Sequence, residues 1–345
     1  MTGVLTISLD FELHWGGFEK WPLTVSGHQS PVAGNRKRAT GNYEQYFLNT
    51  RRIIPQMLDL FSGYKVHVTW AGVGMLMHEN RETLMMNFPE VRPSYVNKEL
   101  SAYQFIEEAG IGENENDDPF HYAHSLVKQI VSTPCQELGS HTFSHFYCNE
   151  EGQTVEQFRA DLKSAQKAAS VYGVQLRSLV FPRNQFNDAC LRVCFEEGLT
   201  SVRSNPNIWF WDIRTRSESR WKRFNRGLDA YFPINGKYSY PLSSVRRREG
   251  FPICLPASRL LRPYNPKELF LNTLKIRRIK AEIEWAARHG EVYHLWWHPH
   301  NFGNYPEANM DGLMAILEFY QYLRQTHGMR SLSMNELAGE IAHSY

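Results

Sequence analysis

The stretch Gly139–His145, "GSHTFSH", sets two imidazoles four residues apart in a run that also carries Ser140, Thr142 and Ser144. At that spacing His141 and His145 face one way on a helical turn, and a tight loop also brings them around one cation. The neighbouring hydroxyls would then bond the outer ring nitrogens and fix the tautomer. A polar loop with incidental histidines is the plainer reading of the same residues. Near the start of the chain stands "SLDFELHWGG". In a strand, alternate side chains share a face, so Ser8, Asp10 and Glu12 project together while Leu9 and Phe11 project oppositely. Two carboxylates on one face repel each other, and burying either alone is costly. They suit proton transfer or metal binding; a solvated strand end is the alternative.

Two further stretches carry chemistry. In "YHLWWHPHNFG", strand alternation puts His294, Trp296, His298 and His300 on one face, with Pro299 ending the regular backbone before His300. An imidazole beside a sugar-stacking tryptophan suits an acid catalyst, whereas an aromatic core strand would carry the same residues without chemistry. "LVFPRNQFN" is a strand ending in Pro182, Arg183, Asn184 and Gln185. Arg183 there could orient a carboxylate, and the amides that follow could donate to an oxyanion. Alone, it is a routine strand-to-helix turn.

Elements that could position these groups alternate along the chain. Val4–Asp10 and Lys65–Trp70 read as strands, and Tyr43–Phe61 as a helix that Pro55 should kink or divide. Residues 85–134, with the acidic "GENENDDPFHY", read as an inserted excursion. After "ELGSHTFSH" comes a helix from Thr154 to Ala169, with Thr154 and Gln157 as a capping box. "LRSLVF", "FNDACLRVCFEEGL" and "TSVRS" continue as strand, helix, strand. Residues 205–262 are irregular, and "NPKELFLNTLKIRRIKAEIEWAARHG" is a long helix capped by Asn265 and stopped by Gly290. Then come "EVYHLWW", a helix over Met310–His327, the strand "RSLSM", and a helix capped by Ser333 with Glu336. Such alternation predicts parallel strands with crossover helices in one domain over 1–345.

The 345 residues are 42% hydrophobic, enough for one large α/β barrel or two ordinary domains, and the formal charge of +2 gives no global field for nucleic acid. The amino-terminal apolar run is short, contains Asp10 and Glu12, and is expected to be neither a signal nor a membrane span. Five cysteines without C-x-x-C pairing read as free thiols, with Cys190 and Cys194 in the core, and a cytoplasmic location is expected.

Taken in order, the four stretches resemble the polysaccharide deacetylase family (carbohydrate esterase family 4). Its metal-dependent members have a first strand ending in an acidic motif, then H-[ST]-x-x-H, an Arg/Pro strand end, and a His on a late strand. The counterparts are Asp10 to Glu12, His141-Thr142-x-x-His145, Pro182-Arg183 and the His of "WWHPHNF". The common acidic motif is two adjacent aspartates; here Phe11 holds the second position and cannot coordinate. The resemblance implies a distorted (β/α) barrel of about seven parallel strands, with the site at their carboxyl ends. It implies removal of an N-acetyl group from an amino sugar, with Asp10 as base. One divalent ion, zinc by its donor set, would sit on His141, His145 and, by strand alternation, Glu12. His298, ahead of His300, would be the acid, supported by Asp212 or Asp229. An amide near Arg183 would hold the oxyanion, although the usual Arg-x-Pro order is reversed here. Trp15, Trp296 and Trp297, with Asn184 and His300, are the candidates for the sugar.

The irregular segment crowds Arg214, Arg216, Arg220, Lys222, Arg223 and Arg246–Arg248 beside Trp221 and Phe224. It reads as a site for a nucleotide- or lipid-diphosphate-linked sugar, as a solvated loop, or as a peripheral contact with an anionic membrane. The expected setting is assembly of a surface polysaccharide or glycolipid. Two alternatives stand beside it: a metal-independent amidase or ureide hydrolase of the same fold, and a sugar-binding protein without turnover.

Overall fold

The structure is a computed structural model and describes residues 2–21, 23–25, 28–29, 43–206, 208–211, 219–232 and 236–343. Asp212, Arg214, Arg216 and the Arg223 side chain lie outside the described residues. The strands are β1 (Val4–Phe11), β2 (Thr24–Val25), β3 (His28–Gln29), β4 (Val68–Gly72), β5 (Gln136–Ser140), β6 (Ser178–Val180), β7 (Ser201–Ser204), β8 (Tyr240–Pro241), β9 (Ile253–Pro256), β10 (Arg259–Leu260), β11 (Glu291–Trp297) and β12 (Arg330–Ser331). The helices are α1 (Tyr43–Tyr64), α2 (Arg81–Met86), α3 (Ala102–Ala109), α4 (His124–Ser132), α5 (Val155–Ser170), α6 (Asp188–Glu196), α7 (Arg220–Asp229), α8 (Leu269–His289), α9 (Pro306–His327) and α10 (Met334–His343).

One curled sheet runs β10-β11-β1-β4-β5-β6-β7-β9, with parallel pairing at every step. Parallel neighbours need crossovers, and helices supply them. The eight strands of this path exceed the expected seven because β9 and β10 fall within 205–262, a region that read as irregular. β9 and β10 end the path on opposite sides, yet only Ala257 and Ser258 separate them. The Ala257 amide donates to the Ser204 carbonyl at 2.8 Å and the Ser258 amide to the His294 carbonyl at 2.8 Å. This dipeptide closes the curl between β7 and β11.

Alternation along β1 sorts its side chains. Leu5, Ile7, Leu9 and Phe11 join the large core under the helices, whereas Val4 joins the cluster that includes Val292, Leu255 and four side chains of α10. Thr6, Ser8 and Asp10 share the inner face with Val4 and are buried. At the amino-terminal floor, the Glu137 carboxylate accepts from Ser178 (2.5 Å), Thr69 (2.6 Å) and the Asn335 amide in the first turn of α10 (3.2 Å). A carboxylate facing a helix amino terminus complements its dipole.

Several local expectations change. α1 runs through Pro55 unbroken, because Phe47, Ile53, Ile54, Met57, Leu58 and Phe61 are buried on both sides of it. α8 starts at Leu269 rather than Pro266; Asn265 instead forms its own turn, accepting from Lys267 N and Glu268 N. Residues 85–134 are no mere excursion, since α4 within them is the crossover from β4 to β5. The capping boxes at Thr154 with Gln157 and Ser333 with Glu336 are both present. All five cysteines are free, with Cys190 and Cys194 buried.

Candidate metal and catalytic centre

The carboxyl end of β1 delivers Asp10 and Glu12 to one pocket. Glu12 follows the strand, and its carboxylate bends back beneath a short turn, Leu13–Gly16. Room for it depends on Gly16, where a Cβ would stand 2.1 Å from the Glu12 carboxyl carbon. Beyond β5, the loop carrying His141 and His145 turns sharply, with Thr142 and His145 both at positive φ, 64° and 57°. Glu12 Oε2 lies 3.1 Å from His141 Nε2 and 3.0 Å from His145 Nε2. Burial works to raise the Glu12 carboxyl, but His298, His141 and His145 hold it well below the usual carboxylate range. Burial takes His145 down to about 4 against the pull of Glu12, so that imidazole is neutral near pH 7.

Hydroxyl groups hold this loop, but not in the expected way. Ser140 Oγ accepts from the Thr142 amide and Thr142 Oγ1 from the Phe146 amide. Buried Asp161, on α5, accepts from the Phe143 and Ser144 amides and the Ser144 hydroxyl at 2.6, 3.1 and 2.5 Å. The hydroxyls therefore fix the backbone instead of the imidazoles. The outer nitrogen of His145 meets the Tyr147 hydroxyl at 2.9 Å.

Asp10 sits deeper. Arg203, on β7, donates both terminal nitrogens to its two oxygens at 2.5 and 2.7 Å, a bidentate fork. Arg203 also donates to Ser8 Oγ (3.1 Å) and Asn184 Oδ1 (3.0 Å) and stacks 4.2 Å from the Trp296 ring centre. Burial would raise the Asp10 carboxyl, yet Arg203, with His298 and His141, holds it below its ordinary value. His298 follows β11, with Nε2 3.6 Å from Asp10 and 3.5 Å from Glu12. Its side chain is 26% exposed, whereas that of His300 is 5% exposed and lies 3.8 Å from Glu12. Burial takes both His300 and His294 down to about 3; His294 bonds Ser8 Oγ at 2.8 Å inside the barrel.

The structure thus brings Asp10, Glu12, His141, His145 and His298 together. It moves other candidates elsewhere. Arg183 pairs with Glu19, lies 4.0 Å from Glu150 and stacks over Tyr147, so it does not orient Asp10. The Asn184 and Gln185 amides donate to the Phe181 and Pro182 carbonyls and are not free for an oxyanion. The Asn184 side chain serves Arg203 instead of lining open space. Trp15 is wholly buried with its N–H on the His121 carbonyl, and Trp297 is wholly buried against Phe302, so neither offers a face to a sugar. Trp296 is 6% exposed, with Arg203 stacked on it. Asp229 is tied to Arg259 and Arg278, away from His298. Arg248 forks onto Asp188, the first residue of α6, and Arg247 donates to the Ala342 carbonyl, so both already have protein partners.

Sequence reading missed Arg203 and a buried chain beneath the Glu12 turn. In that chain Asp118 Oδ2 meets His121 Nδ1 (2.8 Å), His121 Nε2 meets His14 Nδ1 (2.7 Å), and His14 Nε2 donates to the Trp21 carbonyl (2.7 Å). An acceptor at each end of two imidazoles calls for three ring protons, so the chain holds one positive charge against Asp118.

Whether a cation fits is tested by the donors themselves. Among the described residues, Glu12, His141 and His145 form a group whose ligand atoms all lie within 4.8 Å of one another. Both ring nitrogens of His141 are buried; Nδ1 has no partner, and Nε2, 3.1 Å from Glu12, lacks the geometry of a hydrogen bond. Buried imidazole nitrogens left unpaired are costly, and two imidazoles with a carboxylate are a zinc-type donor set, so the residues fit the ion.

Comparison with known proteins comes to the same family. The polysaccharide deacetylase family model matches residues 45–202, a span that includes "HTFSH" but neither Asp10 nor His298. No curated protein matches the chain. Among solved structures, a protein from Mycobacterium smegmatis assigned as a polysaccharide deacetylase superposes with a TM-score of 0.57 at 13% identity, covering 100% of this chain and 92% of that one. A Pseudomonas aeruginosa PAO1 protein with the same assignment gives 0.55 at 13% identity, covering 99% and 91%. Puue allantoinase gives 0.56 at 12% identity, covering 99% and 90%, and shares the fold. The family model over residues 45–202 and the fold over the described chain thus agree with the resemblance to the polysaccharide deacetylases read from the sequence.

Proposed function

We propose that the chain is a metal-dependent N-deacetylase of an amino sugar, working in the assembly of a surface polysaccharide or glycolipid. The observation that supports it best is the convergence of two carboxylates and three imidazoles from β1, the loop after β5 and the end of β11. Glu12, His141 and His145 would hold one divalent ion, zinc by its donor set. When bound, that ion supplies Lewis acidity toward an acetyl oxygen and makes a water acidic near pH ~7.

The chain's own groups do the proton work. Asp10, ionised and fixed in plane by the Arg203 fork, takes a proton from the attacking water. His298, the exposed imidazole of the late strand, gives a proton to the departing amine. The amide C–N bond breaks and acetate leaves with the water's oxygen. Arg203 is thereby a positioning residue, acting through Asp10.

Metal quantitation on purified protein, with acetate release from N-acetylated oligosaccharides, tests this reading. We expect about one ion per chain, loss of that ion in His141→Ala, and loss of acetate release in Asp10→Asn with the ion retained. Turnover of a cyclic ureide that survives chelation would replace it with the metal-independent amidase. Sugar binding without acetate release, unchanged in Asp10→Asn, would leave only a binding protein.

A further inference from the structure

We propose that α7 and the turn before it form a docking surface for an anionic membrane, set at the mouth of the pocket. Residues 208–211 follow the carboxyl end of β7, the same end as Asp10, and α7 is the next described helix. A chain of ring contacts ties it to the site: Trp211 packs edge-on to Trp296 at 6.4 Å, and Trp296 lies 5.8 Å from His298. α7 rests on that turn through Arg226, which donates to the Phe210 carbonyl at 2.6 Å and lies over the Trp211 ring.

The outer face of this unit is apolar and cationic together. Trp209, Trp221, Phe224 and Phe232 are 53%, 62%, 52% and 48% exposed, and Trp221 stacks on Phe224 with ring centres 5.5 Å apart. Among the described residues of α7, Arg220 and Lys222 carry positive charge beside these rings, Arg226 points onto the turn behind, and the single acid, Asp229, is buried. Tryptophan and phenylalanine beside arginine and lysine on a short amphipathic helix match the interfacial layer of a bilayer: rings enter the headgroup boundary and cations meet anionic headgroups. A soluble acidic partner would satisfy the charges but leave the aromatic rings in water.

The helix is also held stiffly from behind, as a docking element must be. The Asp229 carbonyl at its end accepts from Arg259 at 2.8 Å and from Arg278, and the Arg226 carbonyl accepts from Arg262 at 3.2 Å. Both guanidiniums, Arg259 and Arg278, also pair with buried Glu282.

The experiment is co-sedimentation of the full chain with vesicles of phosphatidylcholine alone and with about one third phosphatidylglycerol. We expect binding only to the anionic vesicles, weakened by added salt. Trp221→Ser with Phe224→Ser should cut that binding at least ten-fold, and Arg220→Glu about five-fold. Val171→Ser, which removes an even more exposed apolar side chain elsewhere, should change nothing. Acetate release from a soluble N-acetyl sugar should be the same in all four proteins, so a failure here is distinct from a failure of the proposed chemistry. No binding to anionic vesicles, equal binding by the aromatic variants, or binding to a soluble polyanion in place of vesicles would each overturn the proposal.

Discussion

At the scale of single residues, the site is built by neighbours that never touch a reactant. Gly16 is one: any side chain there meets the Glu12 carboxylate, so Gly16→Ala should displace one metal ligand while leaving the other two in place. We expect metal affinity to fall about 10–100-fold, as when supporting groups around a metal are lost, with little change in melting temperature. A competition titration against a chelator reads it. Arg203 is another. Arg203→Met would strand the Asp10 carboxylate in a buried site without its partner, a change of the kind that costs about 3–5 kcal/mol. Denaturant unfolding should show that loss, and acetate release should fall with kcat more than KM, since a displaced base slows proton transfer rather than binding. Arg203→Lys keeps the charge but not the fork, and is expected to restore stability better than rate.

At the scale of elements, the loop after β5 hangs on one carboxylate of α5. Burial pushes the Asp161 carboxyl up to about 6 against its three hydrogen bonds, so the ionised form is disfavoured in the folded chain. A raised carboxyl pKa means the folded state binds the proton more tightly than the unfolded one, and this group's contribution to stability grows as pH falls from 7 through 6 toward 4. Asp161→Asn has no such proton to gain. The stability difference between variant and parent should therefore shift toward the parent over that range, by up to ~3 kcal/mol, in urea unfolding at stepped pH. The elements also show what could be read from the chain. β1 was legible because eight buried residues alternate cleanly, and alternation alone put Asp10 with Glu12. The capping boxes were legible because they are local. Arg203 was not, because its strand is four residues long and its inward face is set by pairing with β6 and β9, which are distant or themselves short. An arginine flanked by Val202 and Ser204 inside a strand was the available signal. β9 and β10 escaped for the same reason, their register being imposed by β7 and β11 rather than by their own pattern. Trp15 and Trp297 misled because an aromatic ring has the same letter in a core as on a sugar face.

At the scale of the molecule, the two ends of the barrel divide the labour. Of the seven non-glycine residues at positive φ among the described residues, Leu13, Thr142, His145, Arg183 and Asn184 sit at the carboxyl mouth. Left-handed backbone costs an L-residue of order 1 kcal/mol or more, and persists where surroundings enforce it. The mouth therefore stores strain that something else must offset. The floor is suited to that: α10 seals it, and its first turn meets the Glu137 carboxylate that also joins β4, β5 and β6 through Thr69 and Ser178. In Glu137→Gln the amide would have to donate to Ser178 Oγ, which would turn to donate to Ser201, and the bonds lose a carboxylate acceptor, at a cost of about 1–3 kcal/mol. The cost should appear as a lower midpoint in urea unfolding, while metal affinity and acetate release per folded molecule stay at the parent's level. Gly16→Ala should give the reverse pattern, with stability kept and metal lost. If the floor variant instead loses metal in proportion to stability, the barrel is one cooperative unit in which the mouth's geometry depends on the floor, and the division fails.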